Sequence, residues 1–227
     1  MSPTSILTYV LYIAIPLLSL YIGYLIITKA FNDMGFTSFE AIAIVLLSFI
    51  LGAGILDQSI GFSFANIHLV TYNNWQIGIN TGGAVIPIIL SIYLFIKNRL
   101  PYEKVLIGIA IVAVITYFVT YPDPNKGIVS RFPFWLLPVF FASFASIFLL
   151  WNNKQKAAPF AYISGTIGVL IGADVFQLLT LLQTELPTAK NAIIGGTDIF
   201  DMVFITGILA VLVDGLLIFQ EKHMEKS

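Results

Sequence analysis

The sequence predicts an all-α integral membrane protein, a single domain over residues 1–227 that forms a bundle of seven transmembrane helices. Charged residues make up only 10% of the chain and the mean hydropathy is +0.93, whereas a soluble domain typically carries about 25% Asp, Glu, Lys and Arg. The apolar residues also fall in runs long enough to cross a hydrocarbon core about 30 Å thick. We therefore expect a multi-pass protein of the cell membrane, with the lipid bilayer as its main partner.

Composition excludes several other classes of protein. The net charge of −1 provides no basic field, so no nucleic-acid partner is expected. The chain has no cysteine, which rules out disulfides, thiol catalysis and thiolate metal sites. It also lacks a Gly-rich phosphate loop, a Ser-His-Asp set and a redox motif, so no cofactor is expected.

Hydropathy divides the chain into seven runs. The first has no positive residue before it and no cleavage site followed by a polar domain, which indicates a retained helix rather than a signal peptide. The longest outer loop, Asp57 to Ile77, is about half apolar and is expected to fold back onto the membrane surface. The spans are interpreted as residues 5–28, 39–56, 78–96, 104–121, 133–151, 158–182 and 197–219, with approximate ends.

Orientation follows from the distribution of Lys and Arg among the loops. With the N-terminus outside, eight of the 11 Lys and Arg residues fall in cytoplasmic segments and three in outer segments. Positive residues are retained on the cytoplasmic side of a membrane. The sequence therefore predicts an outer N-terminus and a cytoplasmic C-terminus.

Four carboxylates in or beside the spans need an explanation, since an ionisable group in hydrocarbon costs at least about 2.5–3.5 kcal/mol. No Lys or Arg within the spans is available to pair with them. The predicted topology puts three of them on the outer side, at one level with Asn80: Asp57, Asp174 and Asp201. Asp214 is expected near the cytoplasmic end, where it can reach water or a lysine of the tail.

The third span contains a motif that can disturb a helix. In a helix, Asn80, Gly83 and Pro87 would share one face. Pro87 has no N–H, so the carbonyl of Gly83 would lose its helical partner. A freed carbonyl beside an amide resembles the cation ligands of broken transporter helices. The alternative is a packing kink whose glycine pair admits a neighbouring helix.

The sixth span combines a glycine face with a carboxylate. Gly165, Gly168 and Gly172 share one side, and Gly168 with Gly172 forms a small-xxx-small pattern that allows close helix contact. Asp174 lies about 200° around the helix from Gly172, with Gln177 one turn further on. A central helix is predicted, with Asp174 either functional or a hydrogen-bonded structural residue.

The seventh span begins with further polar residues. Thr197 or Asp198 can cap this helix without any other function. Asp201 gains from the positive helix terminus and would not by itself indicate a site, but it becomes a candidate together with Asp174. Neither His68 nor His223 is assigned to a metal site, and the metal is left unknown. The candidate ligand-binding residues are Asp174, Asp201, Asn80, Gly83, Asp57 and Gln177.

At these motifs the chain resembles a family of prokaryotic polytopic membrane proteins known only as a domain of unknown function. The resemblance covers most of the chain from the second span onward. The family has Gly-Thr before its seventh-span Phe-Asp, where this chain has Asp198-Ile199, so the resemblance does not extend to Asp198. It supports the sites and implies no activity. The matching stretches are Ile79–Pro87, Ala161–Asp174, Gly195-Gly196, Phe200-Asp201 and Thr206–Ala210.

Three functions remain open. The first is a carrier or channel in which Asp174 and Asp201 bind a proton or a cation that accompanies a small solute. The second is an intramembrane aspartyl protease, in which the same two carboxylates share a proton and activate water. Its motifs match poorly, because Ile171 and Ala173 stand where presenilin-type enzymes have Gly, and the motif order is reversed. The third is a membrane scaffold without a ligand site, and homo-oligomer formation is left open.

Overall fold

The protein is mainly helical. The computed structural model describes residues 3–57, 63–123, 127–184, 187–196 and 202–224. Within these residues the chain forms seven helical segments in succession. They are α1 (Pro3–Asp33), α2 (Ser38–Gly52), α3 (Ile86–Lys97), α4 (Tyr102–Val119), α5 (Leu137–Leu149), α6 (which begins with Ala157–Val169) and α7 (Met202–Met224).

Two of these helices contain π-helical turns. A π-helical turn, Thr81–Val85, leads directly into α3. The second helix of this kind is α6, which continues from Val169 through a π-helical segment, Leu170–Gln177, into a last α-helical turn, Leu178–Leu181. Because π-helical turns are rare and concentrate at functional sites, these two segments direct attention to the end of the bundle that they share.

Local sequence accounts for several helix starts. Thr37 and Glu40 form a reciprocal capping box at the start of α2, in which each side chain bonds the other residue's backbone N–H. Pro138 lies in the first turn of α5, where the missing N–H of proline costs no helical hydrogen bond. Pro87 lies one turn further into its helix, after the π-helical turn Thr81–Val85.

Length and composition identify the helices that are candidates for membrane spans. Three helical segments are long and apolar enough to cross a membrane: Leu11–Asp33, Tyr102–Val119 and Lys154–Leu181. Four further apolar helices are shorter: Ser38–Gly52, Thr81–Lys97, Phe134–Leu149 and Met202–Ile218. The coarse part of the prediction, a mostly helical protein with helices long and apolar enough to cross a membrane, is confirmed.

Successive helices run in alternating directions, so the loops gather at two ends of the bundle. At one end the Lys97 ammonium donates to the Gly35 carbonyl (3.1 Å), and the Lys156 ammonium donates to the Arg99 carbonyl (3.0 Å). These bonds join the α1–α2, α3–α4 and α5–α6 connections, and we call this the lysine end. The opposite end carries all the described strands, and we call it the sheet end.

Two small sheets were not part of the all-α prediction. The first has the strand order β1-β2-β5, and the second is a hairpin of β3 and β4. In the first, β1 and β2 are antiparallel, whereas β2 and β5 are parallel. The strands are β1 (Asn66–Tyr72), β2 (Trp75–Asn80), β3 (Thr120–Asp123), β4 (Gly127–Ser130) and β5 (Lys190–Ile194).

The β1–β2 hairpin corrects the prediction for the outer loop and the third span. Asn73 and Asn74 have φ of 47° and 63°, the left-handed pair that a tight hairpin turn requires. The third span was expected from residue 78, but residues up to Asn80 belong to β2 and the helix begins only at Thr81. The second helix likewise ends at Gly52 rather than residue 56.

The central helix is α6, as predicted. It packs against α3, α4, α5 and α7, and every side chain from Ala157 to Thr166 is buried. A Cβ on Gly168 would stand 2.5 Å from the Val112 Cβ, and one on Gly172 would stand 2.3 Å from the Ala113 carbonyl oxygen. Both glycines therefore allow α4 to approach closely, which confirms the predicted small-residue contact.

We expect Gly172→Ala to destabilise the protein by about 1–3 kcal/mol, because the added methyl group overlaps the α4 backbone and forces the two helices apart. Thermal unfolding in detergent micelles measures this loss. The matched control is Gly23→Ala in α1, where a Cβ would meet nothing within 4 Å. The control should be neutral or stabilising, and equal behaviour of the two variants would contradict the packing argument.

Candidate functional site

A cavity of about 520 Å³ lies at the sheet end, between the π-helical part of α6 and the two sheets. Apolar side chains from α6, β4 and α7 form much of its wall. Its charged lining residues among those described are Asp174 and Lys190. Asn191 also lines the cavity and is exposed, so the cavity reaches the surface at β5. Polar and apolar surface contribute about equally to its lining, and its volume is within the usual range of small-molecule sites.

Asp174 forms part of the inner wall of this cavity. Its side chain is only 7% exposed and lies in the π-helical segment of α6. The Gly195 N–H donates to Asp174 Oδ2 at 2.7 Å. A buried carboxylate held in place by a backbone N–H, on the wall of a cavity, can bind a proton, a cation or the positive group of a solute.

A glycine turn connects Asp174 to α3. Gly195 and Gly196 follow β5 with φ of +83° and +67°, a left-handed pair that side chains rarely adopt. The turn lies against the π-helical start of α3, since a Cβ on Gly83 would stand 2.0 Å from the Gly195 carbonyl oxygen. Gly83 is therefore required for a close backbone contact with the turn that Asp174 holds.

Asn80 organises the same region from the other side. Its Oδ1 accepts from the Gly83 N–H at 2.7 Å, which caps the π-helical turn. Its Nδ2 donates to the Gly52 carbonyl at 3.1 Å and to Asn66 Oδ1 at 3.0 Å. The buried amide thus joins α2, β1 and α3, so these bonds give Asn80 a structural role.

The predicted helix face of the third span is wrong for Asn80. Asn80 is the last residue of β2 and has an extended backbone (φ −79°, ψ 130°), so it does not share a helix face with Gly83 and Pro87. The Ile86 N–H bonds to the Thr81 carbonyl, five residues earlier. The α-helical register from which the free Gly83 carbonyl was inferred does not apply in this turn, and Gly83 as a cation ligand stays a prediction.

Asp57 and Gln177 bond to other parts of the sheet end. Asp57 accepts from the Ser63 hydroxyl (2.9 Å) and the Phe64 N–H (2.7 Å), so it holds the residues just before β1. The Gln177 side-chain N–H groups donate to the carbonyls of Tyr117 and Thr120, both at 2.8 Å. This amide satisfies the C-terminus of α4, where helical carbonyls lack partners.

The structure places the two remaining carboxylates differently. Asp201 lies outside the described residues, so its predicted proximity to Asp174 stays a prediction. Gly196 and Met202, the described residues that flank 197–201, both line the cavity. Asp214 was expected to reach water or a lysine, but its side chain is 0% exposed and its Oδ1 contacts the Ser146 hydroxyl. Tight packing of α7 against α5 and α6 explains this correction.

Sequence reasoning missed the part of the wall contributed by the strands. Trp75 on β2 is 1% exposed and its indole N–H donates to the Thr184 carbonyl at 2.9 Å. Lys190 and Asn191 begin β5, and all three residues line the cavity. The Asn73-Asn74 pair between two apolar runs was the available signal for a hairpin. Across the described ranges, no group of three or more His, Asp or Glu residues could hold a metal ion.

Comparison with known families places the chain in one of them. The fold and site describe a mostly helical protein with helices apolar enough to cross a membrane and a buried carboxylate at a cavity. Residues 40–213 match the family described as "Protein of unknown function (DUF1614)", and the chain belongs to that family. This match confirms the resemblance to a family of unknown function. No curated protein and no solved structure matches the chain.

We expect Asn80→Ala to destabilise the protein by about 2–3 kcal/mol, because it removes the cap on Gly83 and leaves a buried carbonyl at Gly52 without a donor. The free energy of unfolding in micelles is the measurement. Asn32→Ala is the control, since Asn32 is exposed and makes one 3.4 Å bond to Ser38. A surface change of this kind stays within about 0.5 kcal/mol, and a similar value for Asn80→Ala would contradict its role.

Proposed function

We propose that this protein is a membrane carrier or channel for a small solute, with a carboxylate site at Asp174 that binds a proton or a cation. The observation that carries the proposal is the buried Asp174 side chain on the wall of the 520 Å³ cavity. Ionisable residues inside membrane proteins are costly and usually serve transport or proton transfer. Asp201 is proposed to share the site.

The shape and chemistry of the cavity support a small amphiphilic solute. Ile128, Leu178 and Val203 contribute apolar wall, whereas Asp174 and Lys190 contribute opposite charges. A volume of about 520 Å³ lies within the usual range of ligand pockets. In this proposal a proton or a cation binds at the Asp174 carboxylate, on the wall of the cavity.

The proposed topology has seven membrane crossings, with the sheet end and the N-terminus outside. Support comes from the alternating direction of the seven helical segments and from the bonds that gather Lys97, Lys104 and Lys156 at the other end. That end matches the positive, cytoplasmic side of a membrane protein. The cavity would then open to the outer surface.

The protease alternative needs the Asp201 carboxyl beside Asp174, so that the pair can share a proton. Residues 197–201 lie outside the described part of the chain, and no described feature favours proteolysis. The scaffold alternative accounts for the bond from the Gly195 N–H to Asp174 but gives no role to the cavity that this carboxylate lines. The carrier is therefore the function that the described residues support best.

The first test is ligand-dependent stability. We expect one cation, or a lowered pH, to stabilise the wild-type protein, since a ligand at a hundredfold excess over its Kd adds about 2.7 kcal/mol. Asp174→Asn and Asp201→Asn should both lose this response. Thermal unfolding of the purified protein over a panel of cations and pH values measures it, with solute flux into vesicles as the second readout.

The matched control is Glu103→Gln, which neutralises an exposed carboxylate at the start of α4. It should respond to the cation as the wild type does. If Asp174→Asn and Asp201→Asn both keep the wild-type response and the wild-type flux, the carrier proposal fails. Cleavage of a helical substrate that is lost in Asp174→Ala would instead favour the protease.

Topology can be tested by labelling, because the chain contains no cysteine. We expect Asn73→Cys, at the exposed β1–β2 turn, to react with an impermeant thiol reagent added outside intact cells. Asn152→Cys, exposed in the α5–α6 connection, should react only after the cells are opened. The reverse pattern would contradict the proposed orientation. Labelling of both positions from one side would contradict the seven crossings.

A further inference from the structure

A second carboxylate is enclosed in the bundle far from the cavity. Asp214 on α7 is 0% exposed. It lies about 18 Å along the helix axis from Met202, which lines the cavity, at the usual rise of 1.5 Å per residue. Asp214 is therefore in the half of the bundle nearer the lysine end, and the carrier proposal gives it no role.

If the Asp214 carboxylate is ionised, the contacts around it contain more acceptors than hydrogens to donate. The Ser146 hydroxyl contacts two oxygens, the Ser143 carbonyl at 2.9 Å and Asp214 Oδ1. A carbonyl and an ionised carboxylate are both acceptors, and a serine hydroxyl has one hydrogen to donate. A proton on Asp214 supplies the second hydrogen, because Asp214 then donates to Ser146 while Ser146 donates to Ser143.

The other oxygen of Asp214 gives an independent indication. Asp214 Oδ2 is buried and has no hydrogen-bond partner among the residues that the structure describes. An ionised oxygen in this position would carry charge in a medium of low dielectric constant without any compensating donor. Neutralisation by a proton removes most of that cost.

The charged groups around this position do not neutralise Asp214. From α1, Asp33 approaches α7, since a Cβ on Gly215 would stand 3.2 Å from Asp33 Oδ2. Lys29 is already bonded to both Asp33 oxygens, at 2.5 and 2.6 Å. The nearby basic residue is therefore committed to Asp33, and Asp33 adds a like charge beside Asp214.

Among the described residues, no cation from the other elements packed against α7 forms an ion pair with Asp214. Lys154 and Lys156 precede α6 at about this level, and the Lys156 ammonium donates to the Arg99 carbonyl. The α5 helix presents Ser143 and Ser146, and the π-helical start of α3 has no titratable residue. From α6, the Tyr162 ring packs beside Gly207, about two turns away along α7. On α7 itself, the described side chains extend to Ile218 and include no ionisable group other than Asp214.

We propose that Ser146 and Asp214 form a second proton-binding site, in the half of the membrane nearer the lysine end, and that Asp214 holds the proton in the folded protein. The ligand is a proton rather than a larger cation because Ser146 requires a hydrogen from Asp214. Asp33 is the titratable group between this site and water, with its side chain 25% exposed. This inference does not rest on the carrier proposal.

The test is the pH dependence of unfolding in wild type, Asp214→Asn and the control Glu103→Gln, between about pH 5 and about pH 8. A free Asp in the unfolded chain is ionised at these pH values, so unfolding releases the Asp214 proton and stability falls as pH rises. We expect the unfolding equilibrium constant of the wild type to rise relative to Asp214→Asn, by up to about tenfold per pH unit while the folded protein keeps the proton, and to level off above the pH at which the folded protein releases it. Glu103→Gln should follow the wild type.

Two results would overturn the proposal. One is an identical pH dependence in wild type and Asp214→Asn. The other is stabilisation by NaCl over choline chloride at constant pH that Asp214→Asn abolishes, which would identify a sodium ion as the ligand. The effect of Asp174→Asn is separate, because that variant should keep the Asp214-dependent pH response even if the carrier proposal fails.

A second measurement applies if Asp214→Asn does not fold. Infrared spectra of protein labelled with ¹³C-aspartate report a carbonyl band from any protonated carboxyl group. We expect such a band at about pH 5, and Asp214→Glu, which keeps the acid but not the label, should remove the part of the band that Asp214 contributes. A spectrum without a protonated band, or a band unchanged in Asp214→Glu, would contradict proton binding at Asp214.

Discussion

The hydrogen bond from the Gly195 N–H to Asp174 connects the main parts of the sheet end. It ties the turn after β5 to α6, and that turn rests on the backbone of Gly83. Gly83 in turn is capped by Asn80, whose amide bonds to Gly52 at the end of α2. One carboxylate therefore stabilises an arrangement to which α2, α3, β5 and α6 all contribute, and the cavity depends on it.

Helices and their close contacts could be predicted from sequence because both arise from local patterns. Apolar runs locate the helices, and the spacing of Gly168 and Gly172 predicts the contact with α4. The start of the third helix could not be found in this way. Residues 75–80 run directly into the helix, and what makes them a strand is pairing with β1 and with β5, the latter more than a hundred residues later. Hydropathy contains no information about that partner.

The candidate site was predictable only in part for the same reason. Asp174 is recognisable from its own helix, because a carboxylate in an apolar run has few explanations. Asn80 was placed inside a helix, since the predicted span begins at residue 78, whereas the structure puts it at the cap. Its role as a ligand residue stays a prediction. Lys190 and Trp75 reach the cavity through the sheet, so only the three-dimensional arrangement identifies them.

The π-helical segment of α6 shows how one short stretch can support both packing and a site. Gly172 lies against the α4 backbone, Asp174 holds the Gly195 turn, and Gln177 donates to the last carbonyls of α4. In a bilayer those carbonyls would have no water to bond, so the Gln177 contacts are costly to break. Three contacts in different directions fix this wall of the cavity. Under the carrier proposal, α6 is therefore the part of the site expected to stay in place while a solute passes.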